Sequence, residues 1–195
     1  MEFFNYVMVL ASVIVGLAVA HLLQGIAKMV QQPERAKLYW VHLLWILLMF
    51  HNALFWWWWE FALTDIRQWT FELYVFVLYF AVLLYLICAI LVPSTLGHYA
   101  DYRAYYYSRR RWLFGLLFAF SLFDFIDSAV KGWAHLIALG WPYYASVAVR
   151  SALLLVAMKT RNERVHAAIV ILFIANLILL AFLNFHTMQQ GAPAS

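Results

Sequence analysis

The sequence predicts an all-α membrane protein: a single domain over residues 1–195, folded as a bundle of about six transmembrane helices. Three observations predict it. The chain is 67% hydrophobic and only 11% charged, with mean hydropathy +0.81, whereas soluble domains carry about 25% charged residues. Its apolar residues fall into runs near 3–27, 38–60, 71–92, 112–131, 135–158 and 165–186, each long enough for the ~20 residues a bilayer crossing needs. Finally, the charges sit between the runs and alternate in sign from loop to loop.

The segments after the first, third and fifth runs hold ten basic residues, Lys28, Arg35, Lys37, Arg103, Arg109, Arg110, Arg111, Lys159, Arg161 and Arg164, against Glu34, Asp101 and Glu163. The other side holds Glu2, Glu60, Asp65 and Glu72 against Arg67 and Lys131. Basic loops stay in the cytoplasm, so these three loops are expected there and both termini outside. The same distribution argues against nucleic acid as the reason for the net charge of +4.

Taken in order, the start MEFFNYVMVL lacks a basic leader region and reads as a retained first span. In run one, Gly16 and Ala20 form a small pair four apart that invites close approach of a neighbouring helix; His21 and Gln24 follow. Run two carries His42, then His51 and Asn52, and ends in Trp56-Trp57-Trp58-Trp59 before Glu60. With Trp69, Trp133 and Trp141 at similar depth, these tryptophans are expected to form the outer aromatic belt. Run three stops at Pro93. The long segment GHYADYRAYYYSRRRW after it is expected to lie partly helical at the inner headgroups, with Arg109, Arg110 and Arg111 as the lipid-interface residues.

Run four is the chemically distinctive one. On a helix, Ser121, Asp124, Asp127, Ser128 and Lys131 fall in one polar stripe among leucines and phenylalanines. Run five, joined to it by a very short turn, carries Tyr143, Ser146 and Arg150 on one face. Ionisable groups within a span are costly and face other helices or water. Asp124 and Arg150 lie at comparable depth and are expected to pair, with Lys131 reaching Asp127 at i+4. Run six carries Asn176 and Asn184.

Several phrases, GLAVAHLLQG (16–25), LYWVHLLW (38–45), DYRAYYYSRRRWLFG (101–115) and RNERVHAA (161–168), resemble a widespread, functionally uncharacterised family of small bacterial polytopic membrane proteins. The resemblance implies a bacterial inner membrane and assigns no site residue.

Three functions fit these residues. Asp124, Asp127, Arg150, Lys131, Ser121 and Tyr143 would line a path moving protons or a small solute through spans four and five, with His21, His42 or Gln24 continuing it to the cytoplasm. An Arg within the path disfavours an open cation pore and favours gated or proton-linked movement. Alternatively, His21 and His42 would hold a b-type haem between two helices, with His51 and His135 or His186 at an outer haem, for transmembrane electron transfer. The third reading is a non-catalytic assembly or lipid-interacting protein. Cys88 is alone, which excludes an intrachain disulfide and a multi-Cys metal site. The absence of HExxH, GxSxG, P-loop and CxxCH patterns argues against the common hydrolase, nucleotide-binding and c-type haem chemistries. The expected partners are membrane lipids and further copies of the chain.

Overall fold

A computed structural model describes residues 2–32, 37–66, 68–97 and 99–185; for residues 2, 3, 62, 65, 134, 135 and 180–185 it describes the backbone alone. The elements run α1 (Glu2–Gln31), α2 (Trp40–Trp59), α3 (Phe71–Leu91), α4 (Tyr102–Val130), α5 (Trp133–Lys159) and α6 (Glu163–Phe185), with a 3-10 turn over Glu60–Asp65 continuing α2. There is no strand among the described residues. Stretches of α1 to α5 are long and apolar enough to cross a membrane: Phe4–Gln31, Trp40–Trp59, Phe71–Leu91, Tyr102–Val130 and Leu136–Lys159. The sixth expected run, 165–186, extends past the described side chains of α6.

Local chemistry explains most of the boundaries. Thr70 Oγ1 caps α3 by accepting the Leu73 N–H at 3.3 Å, and Asp101 Oδ1 caps α4 by accepting the Ala104 N–H at 2.7 Å. The Asp101 cap starts α4 well before residue 112. The segment expected to lie along the headgroups is therefore the first turns of α4 itself. Tyr105 and Tyr106 are buried there, which ties these turns to the bundle.

α5 is broken at Gly140, whose φ of 67° and ψ of 178° are non-helical and open to glycine alone. The helix restarts at once, so Pro142 falls in a first turn, where its missing N–H leaves no bond unmade. Tyr144 Oη donates to the Leu136 carbonyl at 2.9 Å across the break.

The most extensive helix contacts are α4 with α5 and α1 with α3; α3 also packs on α4, α2 on α1, α3 and α6, and α6 on α2 and α5. Lipid is as apolar as a side chain, so helix association rests on fit rather than on removal from water. Aromatic rings supply much of that fit. Trp45 sets its edge against Phe114 and Phe173, and Phe76 stacks on Phe123 at 5.3 Å. The close approach of α1 to α3 occurs at Gly25, where a Cβ would overlap the Val92 side chain. Gly16, the expected contact, has open space around it. The tryptophan run divides as well: Trp57 and Trp58 are exposed, whereas Trp56 is buried edge-on against Phe80.

The basic connections gather at one end of the bundle. Tyr102 N–H donates to Lys37 O, Lys28 reaches Ser94 O, and Arg103 pairs with Glu163 at 2.9 Å. Loops one, three and five thus meet, as alternating spans require.

Candidate functional site

The polar stripe of α4 is divided between two neighbours. Ser121, Asp124 and Ser128 turn toward α5, where Arg150 Nη2 donates to Asp124 Oδ2 at 2.5 Å and Arg150 Nε to Ser121 Oγ at 3.2 Å. Ser121 Oγ lies 3.4 Å from Ser151 Oγ. Toward the other end, Ser128 Oγ donates to the Asp124 carbonyl at 3.0 Å and sits 2.8 Å from Tyr143 Oη. Ser146 closes the α5 face by donating to the Tyr143 carbonyl. The structure thereby joins Ser121, Asp124, Tyr143 and Arg150 in one hydrogen-bonded column.

The Asp124 and Arg150 side chains keep 28% and 31% of their surface exposed. A charge inside a span is not left against hydrocarbon, so this exposure calls for water or another protein surface. At ~1.5 Å per residue Asp124 lies roughly 9 Å from the end of α4, and Ser121 roughly 14 Å.

Asp127 and Lys131 turn the other way, toward the end of α2. Lys131 Nζ donates to Asp127 Oδ2 at 2.5 Å and to the Trp59 carbonyl at 3.2 Å, and lies 3.7 Å from Glu60 Oε2. Glu60 is 1% exposed and Asp127 4%. Two carboxyl groups therefore face one ammonium in a closed pocket, beside the partly open column. Sequence reasoning placed Glu60 only among the outer charges. The signal available was its position directly after four tryptophans, where the chain was still expected to be inside a belt.

The column does not run through the bundle. Inward of Ser121 and Ser151 the buried residues of the two helices are Leu113, Phe114 and Leu117 on α4 and Leu154 and Ala157 on α5. The next buried polar side chain on α4 is Arg110, eleven residues away, or ~16 Å along the axis.

His21 and His42, expected as a continuation of the path or as haem ligands, are elsewhere. A helix leaves its last carbonyls without intrahelical partners, and Pro93 offers no N–H beyond α3. Three side chains from three helices supply the missing donors. Tyr105 Oη donates to Ile90 O at 2.6 Å, His42 Nε2 to Leu91 O at 2.7 Å and His21 Nε2 to Val92 O at 2.8 Å. His42 also sits among the rings of Tyr102, Tyr105 and Tyr106. Serving an iron through Nε2 would require both imidazoles to leave α3. His51 Nδ1 donates to Leu47 O of its own helix. The His135 side chain and all of His186 lie outside the described residues.

The three arginines separate. Arg109 and Arg111 are exposed, while Arg110 is buried and donates to the Tyr107 carbonyl at 2.9 Å. Arg109 lines an open groove of about 530 Å³ with Ser94, Thr95, Tyr99 and Trp112. A second network occupies this end: Tyr106 Oη and His166 Nδ1 are 2.9 Å apart, and Tyr39 Oη and Tyr107 Oη 3.0 Å.

No family model, no curated protein and no solved structure matches this chain.

Proposed function

We propose that this is a multi-pass inner-membrane protein that moves protons or a small solute through the column between α4 and α5, by gated rather than free conduction. The observation that supports it is the Asp124–Arg150 pair, which is charged, hydrogen-bonded along the column and about 30% exposed within a helix apolar enough to span. A purely packing pair has no need of that exposure.

The apolar stretch from Leu117 to Leu113 is the closed gate, so transport requires α4 and α5 to part along it. The Gly140 break lets the outer part of α5 move separately from the part that carries Arg150. In this reading the column opens to the periplasm, the basic loops face the cytoplasm, and copies of the chain associate. Anionic lipid headgroups take the groove at Arg109, where each basic residue near the surface contributes about 1 kcal/mol. The likeness to small bacterial inner-membrane proteins belongs to the same reading.

Proteoliposomes loaded with a pH-sensitive dye test it. An imposed pH gradient should collapse faster with wild type than with Asp124→Asn at equal reconstitution. Equal rates, both at the level of empty liposomes, would make the pair structural and favour the assembly reading. A reduced-form haem band in the purified protein would instead establish the redox alternative.

A further inference from the structure

We propose that Glu60 and Asp127 hold one proton between them, in the closed pocket beside the column. The shared proton does not depend on the transport reading.

The argument starts from charge. Asp124 has its own partner in Arg150 and further bonds from the neighbouring serine and tyrosine hydroxyls to its backbone. Glu60 and Asp127 have one lysine for two carboxyl groups. Asp124 adds negative charge to both, Tyr143, held at Ser128, interacts with Asp127, and the Asp65 side chain lies outside the described residues. Glu72, which opens α3, is exposed, and Arg67 lies outside the described residues. Asp124 and Arg150 cancel each other; fully ionised, Glu60, Asp127 and Lys131 leave one uncompensated negative charge in a nearly closed site, which is unfavourable in a low dielectric.

Hydrogen bonding points the same way independently. Glu60 Oε2 and Asp127 Oδ2 converge on the same ammonium, Lys131 Nζ, at 3.7 and 2.5 Å. Yet Glu60 Oε2 and Asp127 Oδ1 are both buried with no hydrogen-bond partner. Two carboxylates offer only acceptors; one proton turns one of them into a donor. Like carboxylates in contact share a proton for this reason. Lys131 Nζ already occupies the cation position, and no set of three metal-ligating side chains forms among the described residues, so a proton fits where a metal ion does not. Protonation moves a proton from hydronium to a carboxyl oxygen, one O–H bond forming as the donor's breaks and leaves water, and release reverses it.

Infrared difference spectroscopy of the purified full-length chain, titrated through neutral pH, tests this. One protonated carboxyl per chain is expected in wild type and in Asp124→Asn, and none in Glu60→Gln or Asp127→Asn, where the remaining carboxylate pairs with Lys131. Lys131→Gln should show a second protonated carboxyl, which keeps the test decisive if the first two variants fold poorly. A wild type without the protonated band, or a band that survives both Glu60→Gln and Asp127→Asn, overturns the shared proton. A band lost only in Asp124→Asn does so too.

Discussion

Arg150 reaches Asp124 across the α4–α5 contact with its Nη2 2.5 Å from Oδ2, while its Nε holds Ser121 one turn deeper. One side chain thus closes the Ser121 end of the column and neutralises its carboxylate. Removing either partner leaves a charge without compensation, whereas removing both does not. Arg150→Met or Asp124→Leu should therefore destabilise the detergent-purified protein more than the double variant does. The loss should fall below the ~3–5 kcal/mol expected of a fully buried pair, because both groups keep some exposure. Thermal unfolding of the four proteins of the cycle measures it.

The histidine cap on α3 makes a separate prediction. His42→Phe removes the donor to Leu91 O and leaves a buried carbonyl unpaired, which costs ~1–3 kcal/mol. Proton flux should stay at the wild-type rate, since His42 is not part of the column. A loss of flux without loss of stability would return His42 to the path.

Helix approach is tested at the two glycines. Gly25→Val should destabilise by ~1–3 kcal/mol, as overpacking does, because its side chain would overlap Val92. Gly16→Ala should be neutral or slightly stabilising, since alanine favours helix over glycine by up to ~1 kcal/mol and the space around Gly16 is open. Melting temperatures in one detergent distinguish the two.

Glu60, just beyond the end of α2, gives a pH dependence. Burial raises its carboxyl above the ordinary value; the Asp127 charge adds to this and the Lys131 charge opposes it. Between the ordinary and the raised value the folded chain binds more protons than the unfolded one, so stability falls as pH rises through that window. Glu60→Gln should flatten this slope in unfolding curves recorded at stepped pH.

The helices were legible in the sequence because apolar length is a local property, and the Asp124–Arg150 and Asp127–Lys131 pairs followed from helical spacing and a short turn. The errors were tertiary. Nothing local distinguishes Gly25 from Gly16 as the contact, or Trp56 from Trp57 as core; each depends on where α3 lies. The hydrogen bonds of His21 and His42 were not legible because the carbonyls they serve belong to a different helix. Glu60 was read as a surface charge because its partners, Asp127 and Lys131, are some seventy residues away.

The most direct test of the column is water access to it. Ser146→Cys and Leu154→Cys, each in a Cys88→Ala background, would be exposed to a membrane-impermeant thiol reagent in intact cells and in inverted vesicles. A column open to the periplasm and sealed inward predicts fast labelling of Ser146→Cys from the outside only, and none of Leu154→Cys from either side. If Ser146→Cys stays unlabelled from both sides, the exposed face of Asp124 and Arg150 meets lipid or another chain, and the column is not a path.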